Sequence, residues 1–414
     1  MTKSLNYIDL FAGAGGLSEG FIREGFVPVA HVEMDRNACN TLTTRLAFHY
    51  LNQNKKPNLY YSYLKKEISR EQLLNYVPSE LLQSIINEEI SDNTLQNIFS
   101  KIDVQLDSKR VDVIIGGPPC QAYSLVGRSR DPNGMKGDKR NYLFRYYAQF
   151  LFRYKPKFFV FENVLGLLTA GSAKYLNEMI SLFQSIGYSV AKPTVLNAEQ
   201  FGVLQKRRRV IITGKKGKKK FPFPALETTI NNWQLKKDLF FDLPSLQPGE
   251  EIPIAGYTTT INDYLQITAT RNGIDFTTQH ITRNHNERDL EIYSIAIDKW
   301  LNEKKRLKYT DLPKRLQTHK NTEAFLDRFK VIDPYGHSHT MVAHIAKDGH
   351  YYIYPDLKQI RSISVREAAR IQSFPDDYFF EGGRTAAFKQ IGNAVPPLMA
   401  RKISLSIKNL LLNV

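Results

Sequence analysis

"NYIDLFAGAGGLSEGFIREG", residues 6–25, decides how the fold is read. The apolar run 7–11 suits a buried strand, glycines follow it at positions 13, 15 and 16, and the next stretch has helical spacing. Glycine there lets the backbone turn sharply and approach a ligand with no side chain in the way. A second apolar run, "VPVAHVEMD" (27–35), carries Glu33, 20 positions after Gly13, the usual reach of a ribose-binding carboxylate. The spacing is G-x-G-G rather than G-x-G-x-x-G, which suits one nucleoside better than a dinucleotide with its pyrophosphate. A tight turn with no ligand reads equally well from this motif alone.

The same alternation continues outward. "VDVIIGGPP" (111–119) and "KFFVFENV" (157–164) read as further buried strands, and "YLFRYYAQFLFRY" (142–154) reads as a helix between them. Strands alternating with helices predict an α/β fold with a doubly wound, mostly parallel sheet, which places ligands at the carboxyl ends of its strands. Residues 50–105 are polar and mostly helical, and read as an insertion on the sheet's rim. From Lys215 the texture changes: "KKGKKKFPFP" (215–224) is a basic, proline-punctuated exit, and no clean alternation follows to about residue 335. Helical spacing returns at "SISVREAARIQSFP" (362–375), with Ser364 and Glu367 spaced as a capping box and Pro375 as the stop.

Bulk properties agree with a folded two-domain chain. Its 414 residues exceed one ordinary core, and 42% hydrophobic residues are enough to fill one or two. No secretory signal and no run of about 18 apolar residues is seen, so a cytoplasmic protein off the membrane is expected. Two cysteines, Cys39 and Cys120, make no disulfide framework and suit a reducing compartment. A net charge of +16 favours a polyanionic partner, although a generally basic surface would also account for it.

Three strand ends carry candidate chemistry. Cys120 follows "GGPP" at a rigid turn, where a nucleophilic thiol needs a positive neighbour or a helix N-terminus to ionise at neutral pH. A small buried hydrophobe is the alternative reading, against which the two prolines speak. Glu162 ends a buried strand, and a desolvated carboxyl there suits a general acid, while a capping or ion-paired role is as common. In "FGVLQKRRRVIITG" (201–214) strand alternation would put Arg207 and Arg209 on one face and Lys206 and Arg208 on the other. No C-x-x-C pair is present, and no metal is expected.

These motifs in this order resemble the cytosine-C5 DNA methyltransferases. "REAARIQSFPDDY" (366–378) and "QIGNAVPP" (390–397) resemble that family's two C-terminal motifs. The resemblance implies a Rossmann-like S-adenosylmethionine-dependent catalytic domain over 1–214, and a smaller target-recognition domain over 215–385, variable over about 215–335. The segment 386–414 would return to the first domain. It implies that Cys120, aimed by Pro119, attacks cytosine C6, and that Glu162 holds N3 and the exocyclic amine. Arg207 and Arg209 would lie near the base and the thiolate.

For S-adenosylmethionine it implies Phe11 against the adenine, Gly13, Gly15 and Gly16 in the loop, and Glu33 with Met34 at the ribose. Pro118, Asn393 and Ala394 would lie beside the cofactor. The adenine-binding acid would be Glu89, followed by Ile90, with Glu67 a rival. Gln121, Ser124, Arg128 in the loop 124–141, Gln205 and Thr340 would face DNA. Met341 departs from the leucine that usually follows that threonine. The implied partner is double-stranded DNA, with a restriction endonuclease possible as a functional counterpart, and the implied state is a monomer. A tRNA-modifying branch and a catalytically silent DNA-binding relative are the alternatives.

Overall fold

The structure is a computed structural model, and it describes residues 4–119, 142–170, 173–229, 232–318, 323 and 326–412. Its centre is an eight-stranded sheet. β1 (Leu5–Leu10), β2 (Phe26–Glu33), β3 (Ile85–Asn87), β4 (Val113–Gly116) and β5 (Phe158–Asn163) are parallel. β6 (Tyr188–Val190), β7 (Thr194–Asn197) and β9 (Arg208–Lys216) complete it, after the two-residue strand β8 (Gln205–Lys206). β9 runs antiparallel to β5, and β6 and β7 share its outer edge. The order β3-β2-β1-β4-β5-β9 reverses direction between β1 and β4, and a crevice at the carboxyl ends of the strands follows from that topology.

Both faces of the sheet are covered, which is why its strands read as nearly continuous apolar runs. Ile8, Leu10, Ile114, Phe159 and Phe161 point to one face. There they meet three helices: α3 (Leu95–Leu106), α4 (Leu143–Tyr154) and α5 (Lys174–Ser185). Tyr7, Val113, Ile115, Phe158 and Val160 point to the other face, toward α1 (Gly16–Arg23) and α9 (Pro397–Leu412). A Cβ at Gly20 would stand 2.4 Å from the Arg401 nitrogen, so the glycine is what lets α1 and α9 touch backbone to backbone.

The stretch 50–105 is more than a rim insertion. Short helices at 57–64, 70–74 and 79–83 do lie at the rim, packed with α2 (Arg36–Gln53) against Ile274 and Phe276. Ile85–Asn87, however, pairs with β2 as the edge strand, and α3 fills the core with Ile98, Phe99 and Ile102. A three-residue strand is too short to leave a readable period.

Beyond β9 the chain builds two further cores. One gathers Leu235, Leu239, Phe240, Tyr264 and Ile345 with α7 (Val365–Ile371) and α8 (Arg384–Asn393), and reaches Ala14 of the first glycine turn. The other surrounds α6 (Glu287–Glu303). The capping box at Ser364 and Glu367 forms as its spacing predicts. One set of buried ion pairs fastens this half to the sheet half, and a second braces this half internally. Arg45 of α2 bridges Glu19 (2.6 Å) and Asp377 (2.9 Å), and Arg370 bridges Asp242 (2.5 Å) and Asp376 (2.6 Å). Removing one member of such a buried pair costs about 3–5 kcal/mol, because its partner stays charged and desolvated.

Candidate active site

At the end of β1 the chain turns through Phe11, whose φ of +57° is unfavourable for a bulky side chain and is held by the turn around it. Glu33, ending β2, clamps that turn: one carboxylate oxygen accepts from Gly13 N and the other from Asp35 N, both at 2.8 Å. Burial pushes the Glu33 carboxyl above its ordinary range. Gly15, with φ +79°, caps α1 in a left-handed conformation. At Gly16 a Cβ would stand 2.3 Å from the Val395 carbonyl and 3.1 Å from Ala394 Cβ, so the C-terminal motif is seated on the glycine turn.

This edge fits a nucleoside-bearing cofactor. No heavy atom lies within 4 Å of where a Gly13 Cβ would stand, and Phe11 is only half-buried. Each Glu33 oxygen keeps acceptor capacity beyond its one backbone N–H. Asp9, in the middle of "IDLF", is a buried carboxyl that sequence reasoning missed. One of its oxygens has no hydrogen-bond partner, and burial raises it well above the usual carboxylate range. A lone acid inside an apolar strand was the available signal.

The next two strand ends meet each other. Glu162 forms an ion pair with Arg209 Nε at 2.6 Å, both side chains being largely buried at 15% and 12% exposure. Gly117 lies directly against Glu162: a Cβ there would stand 2.5 Å from the Glu162 carbonyl oxygen and 2.8 Å from Oε2. Asn163 Nδ2 donates to the buried Pro118 carbonyl at 3.3 Å, and Pro119 is exposed. The "GGPP" turn is thus fixed onto the strand that presents Glu162. Cys120, Gln121, Ser124 and Arg128 lie outside the described residues, as does the rest of the loop up to Asn141.

The Gly117 contact gives a direct expectation. Gly117→Ala should force the β4 and β5 ends apart and displace Glu162. A misplacement of about 1 Å costs on the order of 10²-fold in rate, so the single-turnover rate of chemistry at this site should fall by about that factor while ligand affinity changes little. An unchanged rate would show that the close packing of Gly117 on Glu162 does not matter to the reaction.

Two expectations about the arginine run need correction. The strand is interrupted at Arg207, between β8 and β9, so simple alternation fails there. Arg209 reaches Glu162, whereas Arg207 is fully buried elsewhere. It donates to the carbonyls of Met341, Ala394 (2.8 Å) and Gly392 (3.3 Å). Arg207 therefore ties the C-terminal motif and the 338–342 segment to the sheet, and acts by positioning. Gln205, expected at the DNA, is also fully buried. It accepts from Met341 N at 2.8 Å and donates to the Gln372 side chain at 2.5 Å, because β8 pairs with β10 (Ser338–His339) inside the protein.

Other expected residues fall as follows. Thr340 is half-buried and donates its hydroxyl to the Lys206 carbonyl at 2.5 Å. Glu89 is exposed just past the carboxyl end of β3, beside the end of β2, and Ile90 is core. Glu67 sits in the turn after a rim helix and accepts from Ser62, away from any strand end. Met34 is 60% exposed beside Glu33, Asn393 is exposed and Ala394 is buried.

Among the described residues, His285, Asp289 and His350 have potential ligand atoms within 4.8 Å of one another, far along the chain from these strand ends. Tyr293 and Ser362 hydrogen-bond the two imidazoles, and Arg288 lies on Asp289, as in a polar network that anchors α6.

Comparison with known proteins agrees with this geometry. The sequence profile of the C-5 cytosine-specific DNA methylases matches residues 5–68 and 78–409. The chain is 43% identical to the type II methyltransferase M.Bpa9945I of Bacillus paralicheniformis, over 98% of each protein. It is 31% identical to the type II methyltransferase M1.HphI of Haemophilus parahaemolyticus, over 97% of this chain and 86% of that one. A solved structure of a putative prophage-encoded DNA modification methyltransferase from E. coli superposes with a TM-score of 0.61 at 22% identity. The match covers 99% of this chain and 100% of that one.

Proposed function

The chain belongs to the C-5 cytosine-specific DNA methylase family, and on that premise we infer how its residues carry the reaction. It is a DNA cytosine-C5 methyltransferase. The observation that supports the assignment of roles is the Glu162–Arg209 pair, packed on the "GGPP" turn that delivers Cys120.

The Cys120 thiolate adds to C6 of a cytosine flipped out of the duplex, since a stacked base cannot reach a strand-end pocket. Addition to an aromatic ring leaves charge on the pyrimidine. Glu162 neutralises it by holding a proton at N3, and Arg209 fixes the Glu162 carboxyl in place. When bound, S-adenosylmethionine supplies an electrophilic methyl group for C5. Phe11, Glu33, Glu89 and Asn393 would hold it on the carboxyl edge of β1–β3. Loss of the C5 proton and departure of the Cys120 sulfur from C6 restore the aromatic ring.

Sequence choice belongs to residues outside that pocket, and 215–335 is the long segment without a catalytic motif. A surface groove there is lined by Lys299, Lys305, Arg306 and Lys308 together with Asp311 and Asp327, Lys299 being ion-paired with Asp311. The division into a catalytic domain over 1–214, a recognition domain over 215–385 and a returning segment over 386–414 belongs to this reading. So does a role as the protective partner of a restriction endonuclease, which the names of the relatives support. Among the described residues no helix is long and apolar enough to cross a membrane; a monomer acting on DNA in the cytoplasm is part of the same reading.

Expression in a host without cytosine methylation, followed by bisulfite conversion of its DNA and tRNA, tests the reading. Protected cytosines in one short recurring duplex sequence, with tRNA unchanged, are expected. Protection confined to tRNA would move the substrate to RNA, and protection of neither would leave a silent DNA-binding protein.

A further inference from the structure

The catalytic edge uses one rim of the sheet, and the opposite rim carries the basic run at 215–220. β9 ends there at Lys216, whose backbone N–H donates to the Lys157 carbonyl at 2.9 Å. Gly217 donates to the Gly187 carbonyl at the same distance. Hydrogen bonds from Phe158 to Asp112 and from Asp112 to Asn6 continue this rim across β5, β4 and β1. Lys109, Lys155 and Lys157 therefore stand on the same rim as the five lysines of the run. Among the described residues none of these lysines has a carboxylate within salt-bridge distance, and the one buried acid of the rim, Asp112, already faces Arg110 at 3.6 Å. Some lysines elsewhere are matched, such as Lys101 with Glu88, Lys236 with Asp356, Lys299 with Asp311 and Lys389 with Asp35; on this rim all eight lack such a partner.

A band of lysines with no carboxylate partner across three strand ends raises local potential and concentrates polyanions. We propose that this rim is a second binding surface for duplex DNA, engaged through phosphates alone, so that one protein holds two DNA segments. The proposal rests on the DNA methyltransferase reading. The six residues of β5 separate the two rims by roughly 20 Å. A duplex is stiff over about 150 base pairs, so the segment in the cleft would not fold back to reach the far rim. Contact on the far rim comes from another segment, and it would let the protein transfer between segments while searching for its site.

The test uses the full chain and two short duplexes with different fluorophores, one carrying the methylation site. Wild type should join them at low salt. Replacing Lys216, Lys218, Lys219 and Lys220 by Gln should abolish joining and lower its log K against log salt slope by roughly 3–4 units, at about 0.9 per phosphate contact. Methylation of the single site-bearing duplex should stay within about twofold. If the fourfold variant does not fold, Lys218→Gln with Lys220→Gln should halve the slope change.

Failure of wild type to join duplexes, or an unchanged slope in the variants, overturns the proposal. Binding to phosphatidylserine vesicles without joining of duplexes would also overturn it, in favour of a membrane. Loss of single-duplex methylation in a folded variant would overturn it too, by placing the rim in the catalytic complex. Absence of methylation in wild type with joining intact would instead count against the enzymatic reading.

Discussion

Cys120→Ser should abolish methyl transfer while leaving DNA binding largely intact. A serine hydroxyl is almost wholly protonated at neutral pH and is a far weaker nucleophile than a thiolate. The rest of the site would be kept, because Glu162 is held by Arg209 and the turn before Cys120 is held by Gly117 and Asn163. Single-turnover transfer of labelled methyl to a site-bearing duplex is the measurement. Retention of a tenth of the wild-type rate would remove Cys120 from the mechanism.

Glu162→Gln should slow the chemical step by about 10²–10⁴-fold, the range for losing a positioned general acid. Gln keeps the size of the side chain and an oxygen that can still accept from Arg209 Nε, so the fold and the cofactor edge should persist. The defect should therefore appear in single-turnover rates and spare binding of S-adenosylmethionine, measured by calorimetry. An unchanged chemical step would leave Glu162 with only the structural task of holding Arg209.

Four of the five parallel strands were legible in the sequence. They are buried on both faces, so each appears as a mainly apolar run, broken only at Asp9 and His31, leading to a residue that matters: Phe11, Glu33, Gly117 and Glu162. Features set by tertiary partners were not legible. The three residues of β3 leave no period, and nothing local says that β9 runs antiparallel to β5. Gln205 and Arg207 look like surface polar residues, yet their partners lie more than 130 positions away, at Met341, Gln372 and Ala394. The half beyond β9 hid its cores for a similar reason. α6 packs with Leu307, Leu316 and Phe329 from irregular chain, so its core is assembled from short pieces rather than from repeating elements.

The central claim is that Cys120 bonds to the base that is methylated. A duplex carrying 5-fluorocytosine at the methylated position tests it most directly, since fluorine at C5 cannot leave as a proton does. Incubated with S-adenosylmethionine, wild-type protein should form a denaturation-resistant protein–DNA complex whose cross-linked peptide contains Cys120, and Cys120→Ser should form none. A wild-type protein that methylates the unmodified duplex but yields no covalent complex, or one linked through another residue, would contradict the account.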